Sequence, residues 1–153
     1  MYIALAADDS IEAIDVGTRE ILSRARLRSG DEPAEISLSR DGETLVSANS
    51  GSSTVSIIET TALREVGRVR LPAEPTSVVV GESGQRAYVL HSMSNAISVI
   101  DLRRLGLVAT RTFEESPVRG AFNRDGDRLY VITRNSPNLL VIDPLNLTLI
   151  ERI

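Results

Sequence analysis

Three glycines stand at equal steps along the chain: Gly42, Gly84 and Gly126. The step is 42 residues, and Pro33, Pro75 and Pro117 keep it. So do the apolar pairs Ile57-Ile58, Val99-Ile100 and Val141-Ile142, the acids that follow them (Glu59, Asp101, Asp143), and the leucines Leu63, Leu105 and Leu147. Residues 2–15 align with residues 130–143 without a gap, so the N-terminal segment joins the pattern through a two-residue insertion. A repeat of this length is one supersecondary unit that buries its apolar faces only against its neighbours. Candidate folds are thereby restricted to arrays of stacked units.

Each unit reads as four short strands. In the third, Ser77-Val78-Val79-Val80 is a β-branched run after Pro75, followed by the turn Gly81-Glu82-Ser83-Gly84. Arg86-Ala87-Tyr88-Val89-Leu90 is a second strand, Ala96-Ile97-Ser98-Val99-Ile100 a third, and Leu107-Val108-Ala109-Thr110-Arg111 a fourth. These are strand lengths, bounded by the Gly, Ser, Asn and Asp residues that end strands. Asp41-Gly42 and Asp125-Gly126 are hairpin signals, because glycine accepts the positive φ such turns need. The apolar runs are too short for helices, and no segment keeps an i, i+3, i+4 stripe over three turns. Four strands per unit of about forty residues predict an all-β fold, a β-propeller of about four blades of four antiparallel strands. The blades span residues 2–28, 33–70, 75–113 and 117–153, in a single array over 1–153. The first lacks its innermost strand.

Composition removes several chemistries. All 17 basic residues are arginine, so a Schiff-base lysine and a phosphate-binding P-loop lysine are excluded. Cysteine is absent, and with it disulfides, thiolate nucleophiles and thiolate metal sites. The net charge of −4 argues against a nucleic-acid-binding surface. No apolar run approaches membrane-spanning length. The N-terminal residues Met1-Tyr2-Ile3-Ala4-Leu5 lead to Asp8 and Asp9 with no basic region, unlike a secretory signal peptide.

The wording of the units resembles the YVTN family of propeller repeats: proline, strand, Asp-Gly turn, Tyr-Val-Thr-Asn, polar loop, and a strand ending Ile-Asp. The tetrapeptide is represented by Tyr130-Val131-Ile132-Thr133, Tyr88-Val89-Leu90-His91 and Val46-Ser47-Ala48-Asn49. The Ile-Asp ending is represented by Ile14-Asp15, Ile100-Asp101 and Ile142-Asp143, with Ile58-Glu59 as a variant. No copy carries the full tetrapeptide, which marks a divergent member. Proteins similar to this family include lactonases of the 6-phosphogluconolactonase type, the heavy chain of methylamine dehydrogenase and the haem d1 domain of nitrite reductases. The resemblance implies a periplasmic or extracellular setting, although this chain carries no signal peptide.

An open arc of blades leaves an apolar face at each end, large enough to drive association. Three completions follow. The favoured one is a longer propeller of about six to eight blades, the remaining blades serving as partner. The others are a homodimer closing a ring of about eight blades, and a small ring of about four.

Chemistry-bearing residues are few. His91, the lone histidine, ends a strand at a loop on the channel rim, where it is the candidate for a base or metal ligand. Asn49 holds the equivalent position one blade earlier. Glu35, Ser77 and Arg119 are repeat-equivalent at the start of the innermost strand. A glutamate and an arginine there suit a carboxylate- or amine-bearing ligand, or pair with each other. Arg134 lies on the same rim. Asp8, Asp9, Asp31, Glu32, Glu74, Glu114 and Glu115 make that rim acidic, but no calcium-binding motif is present, and neither a metal nor a cofactor is expected. Arg24, Arg26, Arg28, Arg68 and Arg70 alternate on outermost strands, where charge discourages edge-to-edge pairing. Tyr2, Tyr88 and Tyr130 recur at one position and are expected between blades. With no Gly-x-Ser-x-Gly elbow and a single imidazole, a Ser-His-Asp hydrolase is disfavoured.

Two functions fit the repeat. The first is a non-enzymatic scaffold for protein or small-ligand binding. The alternative is part of a lactonase-like or redox-cofactor-binding enzyme with its site at the channel mouth, built from Glu35, His91, Arg119 and Arg134. Convergence of those four side chains in one cleft discriminates the two.

Overall fold

A computed structural model describes residues 1–134 and 136–153. It contains fifteen strands in four antiparallel sheets. The first sheet has three strands: β1 (Tyr2–Leu5), β2 (Ser10–Ile14) and β3 (Ile21–Arg26). The second has four: β4 (Pro33–Leu38), β5 (Thr44–Asn49), β6 (Thr54–Glu59) and β7 (Arg64–Arg70). The third is β8 (Ser77–Val80), β9 (Arg86–His91), β10 (Ala96–Asp101) and β11 (Gly106–Thr112). The fourth is β12 (Pro117–Phe122), β13 (Leu129–Thr133), β14 (Leu139–Asp143) and β15 (Thr148–Arg152). Every sheet is an up-and-down meander, and one 3-10 turn at Ala6–Asp8 is the helical element among the described residues. The chain is therefore an all-β, propeller-like array whose first blade has three strands.

Local chemistry repeats with the sequence. Gly42, Gly84 and Gly126 have φ of 78°, 68° and 73°, the left-handed conformation that a side chain would strain. The Ile-Asp ending has a mechanical role. The Asp15 Oδ1 accepts the N–H groups of Gly17 and Thr18, both at 2.8 Å. Asp101 does the same for Arg103 (3.0 Å) and Arg104 (2.8 Å), and Asp143 for Leu145 (2.8 Å). The carboxylate thus folds the turn that leads to the last strand of its blade. The apolar pair before it carries a β-bulge in every blade, at Ala13/Ile14, Ile57/Ile58, Val99/Ile100 and Val141/Ile142. A bulge increases twist, so each outermost strand turns away from the plane of the inner ones.

The inner strands pack side by side, β4 against β8 and β8 against β12. Burial follows the junctions between blades. One core joins blades 1 and 2 through Ile11, Ala25, Leu45, Ile58 and Leu63. A second joins blades 2 and 3, with Val46, Val55 and Ile57 facing Val78, Ala87 and Ile100. A third joins blades 3 and 4, with Tyr88, Leu90 and Ile97 facing Leu129, Leu140 and Ile142. Beside β1, where the other blades have an innermost strand, lies an apolar cleft of about 370 Å³ lined by Met1, Tyr2, Ile36, Leu38 and Leu45. Leu38 is 43% exposed there, whereas Val80 at the equivalent position is 8% exposed.

One expectation about the outermost strands is corrected. Arg68 does not guard a free edge. Its guanidinium turns inward and donates to both oxygens of Asp31 at 2.7 Å, and to both oxygens of Glu65 at 2.8 Å. Arg24 likewise turns to Glu12. Arg26, Arg28 and Arg70 remain exposed. The reason is local: in blade 2 the connection that precedes the blade brings Asp31 to the outermost strand, where it finds Arg68, whereas Arg24 meets Glu12, its register partner on the adjacent strand. Arg152 repeats the arrangement with Glu114 (2.8 Å) and Glu115 (2.6 Å), but in a more exposed place.

This pair of equivalent ion pairs yields a prediction. Asp31 is almost wholly buried, so Arg68→Ala leaves it unpaired and is expected to cost about 2–4 kcal/mol. Arg152→Ala, where the guanidinium and its partner Glu114 meet water although Glu115 is largely covered, is expected to change stability less. Urea unfolding of the two variants measures both. Equal losses would contradict the assignment of Arg68 as an internal tie.

Candidate functional site

The connections from each outermost strand to the next blade and the loops joining the second strand of each blade to the third form one rim of the array. Most rim carboxylates are committed to the protein itself. Asp9, held in a left-handed conformation (φ 47°), accepts the N–H groups of Gly30 and Glu32, each at 2.8 Å. Those two bonds hold its carboxyl below the usual carboxylate range. For Asp31, burial pushes the pKa up, but hydrogen bonds from Arg68, Ser52 and the Arg28 N–H more than offset it, and the group stays ionised. Glu115 is held low chiefly by its hydrogen bond from Arg152. Among the described residues, no group of three or more acids or histidines is arranged to hold a metal ion.

His91 lies inside blade 3 and not on the rim. It is fully buried. Its Nδ1 is 3.1 Å from the Glu74 carbonyl oxygen, and its Nε2 is 2.8 Å from the Ser98 hydroxyl. A carbonyl can only accept, so Nδ1 carries the proton and Nε2 accepts from Ser98. Ser98 in turn meets Thr110 at 2.8 Å. Burial, opposed by the backbone bonds of Glu74 and Ala73, holds the ring's pKa below 6.5, so the imidazole is neutral. Asn49 occupies the same place in blade 2. It donates to Thr54 (3.0 Å) and Ser56 (2.9 Å) and accepts from Ser47 (2.8 Å), again fully buried.

These residues belong to a polar seam that crosses blades 2 and 3 from the second strand to the outermost. In blade 2 it runs Asn49, Ser56, Glu65, Arg68 and Asp31. In blade 3 the equivalent positions are His91, Ser98 and Thr110. Ala73 replaces the acid and Thr110 the arginine, so the seam is neutral there. The acid–arginine tie was missed in the sequence, although a signal exists. Arg68 follows Asp31 by 37 residues, and Arg152 follows Glu115 by the same 37.

Glu35 and Arg119 do come together. Their side chains form an ion pair at 3.4 Å, linking the inner strands of blades 2 and 4 across blade 3. Arg119 is 70% exposed, so this pair lies open at the mouth of the array. Arg134 is exposed on the rim, its N–H donating to the Ser116 carbonyl at 2.9 Å. Of the four side chains required for a catalytic cleft, two meet, one is enclosed and one stands apart. A separate cleft of about 370 Å³ opens between blades 3 and 4 at the opposite rim, near Gly81, Glu82, Asp125 and Leu145. It contains none of the four. The one phenol it exposes to the cleft wall, Tyr88, already donates to the Pro144 carbonyl at 3.0 Å.

No family model matches the chain, and no curated protein sequence matches it. Its structure, in contrast, matches 1238 solved chains, a breadth that identifies an architecture and not an activity. One is the hydrazine synthase of Kuenenia stuttgartiensis, a β-propeller-containing protein, at a TM-score of 0.88 and 25% identity. The match covers 99% of this chain and 44% of that one, so this chain spans less than half the length of the protein it resembles. The chain has the fold of a propeller arc, and its membership of the YVTN family is not established by these matches.

The buried imidazole makes stability depend on pH. In the unfolded chain the ring takes up a proton near 6.5, and in the folded chain only at lower pH. Between those values the unfolded state holds more protons, so stability falls as pH drops below about 6.5 and is level above it. His91→Asn, which installs the side chain that blade 2 uses, is expected to remove this slope. Urea midpoints between about pH 7.5 and 5 measure it; an undiminished slope in the variant would assign it to other groups.

Proposed function

We propose that the chain is a non-enzymatic β-propeller module that serves as a scaffold for protein or small-ligand binding. The observation that supports this is the separation of its reactive groups. A general base must reach the proton it removes within hydrogen-bond distance. His91 offers no surface to solvent, and both its nitrogens are engaged. Asp9, Asp31 and Glu115 of the rim are cradled by backbone N–H groups or paired with arginine, and each is held below the usual carboxylate range, the opposite of what a general acid needs.

The binding role rests on the Glu35–Arg119 pair. It is open to water, and an exposed ion pair contributes little to stability. A ligand carboxylate therefore displaces Glu35 from Arg119 at small cost and gains a two-pronged guanidinium contact. The two apolar junctions between blades 2 and 4 hold the two inner strands in place, so the site is preorganised.

Two measurements test this. Hydrolysis of a lactone panel by the wild-type protein and by His91→Ala is expected to match the uncatalysed rate in both. Turnover by the wild type that disappears in Arg119→Ala would instead establish an enzyme. Titration with small mono- and dicarboxylates, followed by NMR, is expected to shift the resonances of Glu35 and Arg119 and to have no such effect in Arg119→Ala. Absence of any shift in the wild type removes the mouth as the binding site.

A further inference from the structure

The two ends of the array carry faces that match each other. At the third junction, blade 3 presents Tyr88, Leu90, Ile97 and Val99 to blade 4. The equivalent residues of blade 4 are Tyr130, Ile132, Leu139 and Val141. They form an apolar face with no blade against it: Ile132 is 51% exposed where Leu90 is fully buried. At the same junction blade 4 presents Leu129, Val131, Leu140, Ile142, Leu147 and Leu149. The equivalents in blade 1 are Met1, Ile3, Glu12, Ile14, Arg19 and Ile21, with Glu12 neutralised by Arg24. Met1 and Ile21 are 61% and 56% exposed. One end is thus the donor face of a junction, and the other a receiving face, apolar apart from the Glu12–Arg24 pair and Arg19.

A single substitution pattern says what covers them. The leucine of the last turn in blades 2, 3 and 4, held at positive φ, stands opposite a small residue on the outermost strand of the blade before. Leu105 packs on Gly67, where a Cβ would stand 2.6 Å from its side chain. The positions recur as Leu63 and Ser23, Leu105 and Gly67, Leu147 and Ala109. At the two free ends both partners change together. The leucine position is Arg19, at the same left-handed φ of 64°, and the small-residue position is Glu151. Both are exposed, and neither is in an ion pair among the described residues. An apolar contact has been replaced, on both sides of the one junction not formed within the chain, by opposite charges.

We propose that blade 4 docks on blade 1 of a second copy of this chain, with Glu151 against the second copy's Arg19. The interface is head to tail. Such interfaces close into a ring when the rotation allows and otherwise run on as filaments. Propellers hold about four to eight blades, so two copies, with about eight blades, close the ring and three exceed it. The ring contains two identical junctions. In each, Tyr130 takes the place of Tyr88, whose hydroxyl bonds the Pro144 carbonyl; its acceptor in the second copy is the Val16 carbonyl, at the equivalent position.

Sedimentation equilibrium of the whole chain, with Glu151→Arg and Arg19→Glu as single variants, tests the pairing. Both residues are exposed, so neither variant disturbs the fold of one copy. The wild type is expected to be a dimer. Each single variant puts like charges at both junctions and is expected to weaken dimerisation roughly tenfold or more. An equimolar mixture of the two variants restores opposite charges at both junctions of a mixed dimer, so its dimerisation is expected to return to the wild-type level. A monomeric or filament-forming wild type, single variants that dimerise like the wild type, or a mixture that stays dissociated would each overturn the proposal. A monomeric wild type is also the result expected if further blades of a longer chain cover these faces.

Discussion

Face-to-face packing of blades is the constraint on which the structure depends. A four-stranded meander is too thin to bury anything by itself, because both its faces are apolar. Each of the three cores forms between two blades, and none forms within one. Burying one large aliphatic side chain contributes about 1.5–3 kcal/mol, and every junction buries several. The fixed length of the repeat follows from this. A blade that gained or lost a residue inside a strand would move its apolar set to the wrong face. The single insertion, two residues between Asp15 and Pro33, falls where the chain crosses from one blade to the next, outside the sheets.

The positions of the polar seam show how much chemistry a repeat tolerates. Blade 2 satisfies it with Asn49, two hydroxyls and a buried ion pair. Blade 3 does so with a neutral histidine and two hydroxyls. Blade 4 replaces the central serine by Leu140 and keeps only its Arg152 pairs. The blade 2 and blade 3 solutions are each closed in themselves, since a buried polar group without a partner is costly. A change at one position of the seam therefore requires changes at the others, and the blades diverge as sets. His91 is one member of such a set, which is why a lone histidine at a strand end is structural here.

The repeat made much of this legible in advance. The strands of the third unit lie where the β-branched runs stand, the second and third extending by one residue and the fourth by one at each end. The turn glycines adopt the left-handed φ that their spacing implied. The Glu35–Arg119 pair was also accessible, because equivalence in the repeat placed both at one ring of the inner strands. The depth of His91 was not. Strand alternation says which face a side chain takes, but a residue at the end of a strand is covered or not by the connection passing over it, here Ala73-Glu74. Arg68 eluded the sequence for a similar reason. Alternating arginines on an outer strand look like edge protection until the acid 37 residues earlier is known to cross them.

The amino-acid sequence by itself determined the unit: its length, its four strands, its turns and the two apolar faces it must cover. Those properties depend on contacts within a few residues and on a period that can be counted. Tertiary structure decided which polar groups reach solvent and which are spent on one another. That outcome depends on connections laid over the sheets by neighbouring blades, and no local pattern encodes how a guanidinium turns once an acid from the preceding connection comes within reach.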